Sequence, residues 1–138
     1  MRLIIDGSVA VNWFLQDEAE QSEYAQDVRN KISGAEMVSV PAHWMLEVVN
    51  ALLVAERRKR IAAAAVNHAV GILRQLPIRS DSETDQQAGM QTLELARQHM
   101  LSIYDAAYLE LALRIGASLA SLDYALKAAA RKRGVPLI

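Results

Sequence analysis

Four carboxylates in this chain stand in or at the end of apolar segments, where a stray charge is least tolerated: Asp6, Glu47, Asp105 and Asp123. Asp6 closes Leu3-Ile4-Ile5, and Asp123 closes the run from Ala117 to Leu122. Glu47 lies within Trp44-Met45-Leu46-Glu47-Val48-Val49, and Asp105 opens Ala106-Ala107-Tyr108-Leu109. Carboxylates are rarely buried unless paired, protonated or bound to a cation. The rest of the 16 acidic residues fall mostly in polar runs such as Asp17-Glu18-Ala19-Glu20 and Asp81-Ser82-Glu83-Thr84-Asp85, which a solvated surface explains.

If the four gather at one place, two like charges about 4 Å apart repel by roughly 4 kcal/mol at an effective dielectric of about 20. A cation would relieve this. Mg²⁺ or Mn²⁺ suits an all-oxygen donor set, because these ions keep several waters and complete their shell with substrate phosphate oxygens. Such an ion activates water and stabilises the charge that develops in phosphoryl displacement, so hydrolysis would need no His or Lys base.

Each acid also has an ordinary explanation. Asp105 and Asp123 fit as helix N-caps, worth about 1 kcal/mol each; Asp6 fits as the polar end of a strand, and Glu47 as the rim of a helix. Ser8 and Ser121 fit as hydrogen-bonding partners that orient Asp6 and Asp123 or help position a water, and equally as caps or strand-edge residues. Asn50, one helical turn beyond Glu47, shares its face. Glu110 falls on the other side of its helix from Asp105 and pairs at i, i+4 with Arg114, which places it on the surface. Trp13, Phe14 and Trp44 read as core or interface.

The elements that must position these residues alternate short apolar runs with longer helical patterns, the mark of βαβ units and a mostly parallel sheet. Strands are expected near Arg2 to Ile5, Met37 to Val40, Leu76 to Arg79, Ala117 to Leu122 and Val135 to Ile138. Helices are expected near Val9 to Leu15, Ser22 to Ile32, His43 to Arg58, Ala62 to Gln75, Glu83 to Met100, Ala106 to Ile115 and Tyr124 to Arg133. Gly34, Gly116 and Gly134 read as helix stops, and Ser80 with Glu83 has the spacing of a capping box. In open α/β sheets ligands bind beyond the carboxyl ends of the strands. Asp6 and Asp123 would lie there, and Glu47 and Asp105 would face the same crevice if right-handed crossovers set the first and fourth strands side by side.

At 138 residues and 52% hydrophobic content, with three Pro and six Gly, the chain suits one packed domain over 1–138. No apolar run approaches the roughly 20 residues a bilayer needs, and no cleavable leader pattern is present, so a cytoplasmic protein with no membrane partner is expected. The absence of Cys removes disulfides and thiol chemistry, and three scattered histidines offer no zinc pair. The formal net charge is −1, yet Arg57-Arg58-Lys59-Arg60 and Lys127 with Arg131-Lys132-Arg133 are basic clusters, suited to helix C-termini or to weak phosphate contacts.

The segments Ile4-Ile5-Asp6-Gly7-Ser8-Val9-Ala10, Pro41 to Leu52 with Glu47-Val48-Val49-Asn50-Ala51-Leu52, Tyr104-Asp105-Ala106-Ala107-Tyr108-Leu109 and Ser121-Leu122-Asp123-Tyr124 resemble, in order and spacing, the PIN domain and within it the VapC-type toxins of toxin–antitoxin pairs. Gly7 stands where Ala, Thr or Ser is usual, and Ser121 where Thr is frequent. The resemblance implies a three-layer α/β/α sandwich around a mostly parallel sheet of about five strands. It also implies an endoribonuclease dependent on Mg²⁺ (or Mn²⁺), an RNA substrate, homodimerisation and inhibition by a cognate antitoxin protein. It carries metal-site and catalytic roles onto Asp6, Glu47, Asp105 and Asp123, residue by residue.

A haloacid-dehalogenase-type phosphatase would need a second acid two residues after Asp6, where Ser8 stands. A receiver-like domain would need a Lys at the end of a late strand, where Ser121-Leu122-Asp123 stands. The remaining alternative is a catalytically inactive dimerisation or antitoxin-binding module, which the four intact acids disfavour.

Overall fold

The computed structural model describes residues 1–138. Four parallel strands, β1 (Arg2–Ile5), β2 (Met37–Val40), β3 (Arg79–Ser80) and β4 (Ser118–Ala120), form one sheet in the order β3-β2-β1-β4. The first and fourth strands are neighbours, with Leu3 opposite Ser118 and Ile5 opposite Ala120. Leu3, Ile4 and Ile5 are all fully buried. Because successive side chains on a strand point to opposite faces, both faces of the sheet are covered, as parallel sheets require.

Eight helices supply that cover: α1 (Gly7–Val11), α2 (Ala19–Lys31), α3 (Trp44–Arg57), α4 (Ala63–Gln75), α5 (Thr84–Gln87), α6 (Leu93–His99), α7 (Ile103–Ile115) and α8 (Tyr124–Lys132). A cluster of 33 buried hydrophobic residues runs through the layers, and truncating a fully buried member such as Leu109 to Ala costs about 2–5 kcal/mol. Trp13 and Trp44 belong to this core, with the Trp13 indole N–H donating to the Ala25 carbonyl at 2.8 Å. The expected fifth strand contracts to one parallel bridge, Leu119 to Leu137, flanked by the bonds Leu119 N–H to Pro136 O and Ile138 N–H to Leu119 O.

Two local expectations fail for identifiable reasons. Ser80 does not cap a helix, because it is paired with Val40 in the sheet; the turn before α5 is instead organised by Thr84, whose hydroxyl donates to Asp81 Oδ2 at 2.9 Å and accepts from the Ala42 N–H at 3.0 Å. The helix expected over Glu83 to Met100 is broken by a π-helical turn over Ala88–Thr92, with Met90 at φ −120°, ψ −109°. Gly89 weakens the helix at that point, and beyond the kink Leu95 and Ala96 turn into the core. Gly116 and Gly134 do end helices in the left-handed region, at φ 65° and 72°. Gly34 closes a short 3-10 turn instead.

Candidate active site

Asp6 follows the last residue of β1, and its N–H extends the ladder to the Ala120 carbonyl at 2.9 Å. It occupies the N-cap position of α1 without capping it, which leaves its side chain free for other partners. Those partners are two hydroxyls: Ser8 Oγ donates to Oδ2 at 2.8 Å and Ser121 Oγ to the same oxygen at 2.7 Å. Each serine is held in turn by a backbone donor, Leu122 N–H to Ser8 Oγ at 3.1 Å and Asp123 N–H to Ser121 Oγ at 2.9 Å. Asp6 is only 4% exposed. Burial raises its pKa above the ordinary aspartate value; the two serine hydrogen bonds oppose the rise, and repulsion from Asp105 and Glu47 adds to it.

Asp105 lies in the first turn of α7. Ser102 is the N-cap there, accepting the Asp105 N–H at 3.1 Å, so Asp105 is not the cap that its position beside an apolar run suggests. Burial raises its pKa, followed by repulsion from Asp123 and, more weakly, Glu47. Asp123 does cap α8, with Oδ1 accepting the Leu126 N–H at 2.8 Å. Glu47, near the start of α3, receives the Tyr108 hydroxyl on Oε1 at 3.2 Å. His43 Nε2 lies 2.7 Å from the same oxygen, yet the nitrogen lacks the alignment of a hydrogen bond. Glu47 and Asp123 line one cleft of about 460 Å³ together with Ser8, Asn12 and Gln21.

The four acids therefore sense one another electrostatically in a single region, but no three of them form a ready-made coordination set. The raised pKa values of Asp6 and Asp105 come first from burial, and repulsion among the acids adds to them. Ser8 and Ser121 both serve Asp6; Asp123 is oriented by the backbone of its own helix. Asn50 is exposed and does not line the cleft.

The PIN domain family profile matches residues 3–132. The chain belongs to the PIN-domain family. No curated protein sequence matches it significantly. Among solved structures, PAE2754 from Pyrobaculum aerophilum aligns with a TM-score of 0.67 at 22% identity, covering 94% of this chain and 84% of that one. VapC20 of Mycobacterium tuberculosis, a sarcin-ricin loop cleaving toxin, aligns at 0.66 and 18% identity, covering 92% of this chain and 94% of that one. VapBC2 from Rickettsia felis, bound to a DNA fragment of its promoter, aligns at 0.67 and 10% identity, covering 100% and 98%. At these identities the likeness is one of fold.

This PIN domain departs from the sequence expectations in two charged places. Glu110 is buried, 4% exposed, because α7 is enclosed from Ala106 through Ala112 and has no surface side to offer there. Its pairing with Arg114 is as expected, at 2.8 Å, but Arg114 also clamps both oxygens of Asp81 at 2.7 and 3.1 Å and reaches Glu83 at 3.0 Å. Asp81 is thus not a solvated loop acid. Burial works against its ionisation, and hydrogen bonds from Arg114 and Thr84 outweigh that, leaving its pKa below the ordinary value.

Tyr108 and His43 are the site residues that the sequence reading missed. Tyr108 is fully buried and sits one helical turn from Asp105, an i, i+3 spacing that marks a shared helix face. Its hydroxyl pKa is raised by burial and by the charges of Asp6 and Glu47, so the hydroxyl stays protonated. Of the residues expected in core or interface, Trp13 and Trp44 are core, and the exposed large side chains nearest the acids in sequence are Leu46, Tyr104 and Tyr124.

Proposed function

We propose that this PIN domain is a divalent-metal-dependent endoribonuclease, the toxin of a toxin–antitoxin pair, with Asp6, Glu47, Asp105 and Asp123 as the residues that would hold Mg²⁺ or Mn²⁺. The observation that carries this reading is Asp6: a buried carboxylate with Oδ2 taken by two serine hydroxyls, repelled by two further acids, and with no protein hydrogen bond on Oδ1. An all-oxygen donor set of this kind fits a hard cation. When bound, such an ion lowers the pKa of a coordinated water and stabilises charge on a phosphoryl group.

The chain's own contribution is placement. Ser8 and Ser121 fix the orientation of Asp6, the Leu126 N–H fixes Asp123, and the α7 start presents Asp105 toward Glu47 and Asp123. The basic residues lie at the far ends of the helices that begin at the acids. Arg57 stands ten residues beyond Glu47, about 15 Å along α3 at about 1.5 Å per residue, a reach suited to phosphates flanking the one that is cut. The fold shared with a toxin that cleaves the sarcin-ricin loop supports RNA as the substrate class, and the fold shared with VapBC2 supports an antitoxin partner. Homodimerisation belongs to the same reading.

The deciding experiment incubates purified protein, freed of any antitoxin, with total cellular RNA plus Mn²⁺ or plus EDTA. Discrete fragments are expected with Mn²⁺ alone, and Asp105→Ala should cut at least about a hundredfold more slowly. Fragments that persist in EDTA or in Asp105→Ala would refute the mechanism. A wild-type protein inert with Mn²⁺ would return the chain to a non-catalytic binding module.

A further inference from the structure

We infer that Tyr108 is a positioning residue for Glu47, an assignment that rests on the proposed metal-dependent reading of the site. Its ring is fully buried, and its hydroxyl stands where three chain segments meet. The oxygen accepts the Gly7 N–H at 3.4 Å, next to Asp6, and the proton goes to Glu47 Oε1 at 3.2 Å. The ring belongs to α7, one turn after Asp105. One hydroxyl thus joins the segments that carry Asp6, Glu47 and Asp105.

Glu47 needs such a tether. Its side chain is 35% exposed and its neighbour His43 is close without alignment, so the Tyr108 proton is the one hydrogen bond its carboxylate accepts. A glutamate so exposed otherwise samples several rotamers, each of which moves the carboxylate by ångströms. A Cβ added at Gly7 would lie 3.5 Å from Glu47 Oε2 and 3.6 Å from the Tyr108 hydroxyl, ordinary contact distances, so both groups gather beside the residue that follows Asp6.

Tyr108→Phe removes the hydroxyl and keeps the ring, and it is measured alone and combined with Glu47→Ala, which removes the acceptor oxygen. In metal-free protein, chemical unfolding should show the two substitutions coupled: their combined effect on the unfolding constant departs from the product of the single effects by at least about threefold. Additive effects would overturn the assignment, whatever the enzyme does. With metal, Tyr108→Phe should bind Mn²⁺ about tenfold more weakly by calorimetry and lower kcat with little change in KM. In the Glu47→Ala background it should change Mn²⁺ affinity no further. Loss of stability with wild-type Mn²⁺ affinity and wild-type kcat would make Tyr108 a packing residue only. If wild-type protein binds no Mn²⁺ the proposed function fails, and the metal-free cycle alone then decides the role of Tyr108.

Discussion

Ser121 donates its hydroxyl proton to Oδ2 of Asp6 at 2.7 Å, joining the end of β1 to the loop after β4 across 115 residues of chain. The same Ser121 oxygen accepts the Asp123 N–H, so one small side chain sets the relative placement of two of the four acids. Both bonds exist because β1 and β4 are adjacent and parallel, which brings their carboxyl ends to one level.

Ser121→Ala should therefore act on both acids at once. It leaves the Asp123 N–H unpaired and removes one donor from a buried carboxylate, a loss of about 1–3 kcal/mol in stability. The cleavage rate should fall about tenfold or more, while Ser121→Thr, which keeps the hydroxyl, should hold most of it. Denaturant unfolding and RNA cleavage rates measure the two effects; an alanine variant equal to wild type in both would remove Ser121 from the site.

The raised pKa values of Asp6 and Asp105 have a defined sign in stability. A carboxyl whose folded pKa lies above its ordinary 3.8 binds its proton more tightly when folded. Its stabilising contribution is therefore complete below pH 3.8 and is lost as pH rises through the folded pKa. In EDTA at pH 7, Asp6→Asn should melt higher than wild type, and the advantage should shrink as the pH falls toward 4. A melting profile in which the two proteins keep a constant gap across that range would contradict the assignment of the strain to Asp6.

Divalent metal should reverse that order. At about ten times its dissociation constant, Mg²⁺ or Mn²⁺ adds roughly 1.4 kcal/mol to the wild type, a rise of a few degrees in Tm, and Asp6→Asn should lose most of this response. An equal shift in both proteins would place the ion away from Asp6.

Arg114 supports the fold at a distance from this chemistry. Its side chain is 22% exposed and holds Asp81 and Glu110, which are 10% and 5% exposed. Arg114→Met leaves these carboxylates without their cation and should cost about 3 kcal/mol, the low end for a buried pair because the guanidinium keeps some solvent. In the wild type Asp81 contributes in the opposite sense to Asp6: its depressed pKa means stability present above pH 3.8 and lost as pH falls through the folded value. Cleavage per folded molecule should be near wild type for Arg114→Met and for Glu110→Ala. A selective loss of activity in either, with stability intact, would draw this network into the site.

What the sequence alone determined is what local chemistry can carry. The alternation of short apolar runs with helical periods was enough for a parallel α/β fold, because each element buries its own face. The apolar settings of Asp6, Glu47, Asp105 and Asp123 singled out the acids, because charges in such places need compensation. The tertiary structure decided the rest. Whether Glu110 is outside or buried depends on what packs against α7, which no i, i+4 spacing contains. Ser80 met the pattern of a cap and was claimed by the sheet; Asp105 looked like a cap and yielded that role to Ser102. Tyr108 could not be told from any other core tyrosine until the fold set its hydroxyl between Gly7 and Glu47. A local pattern states which groups need partners, and only the packing of distant segments states which partners they get.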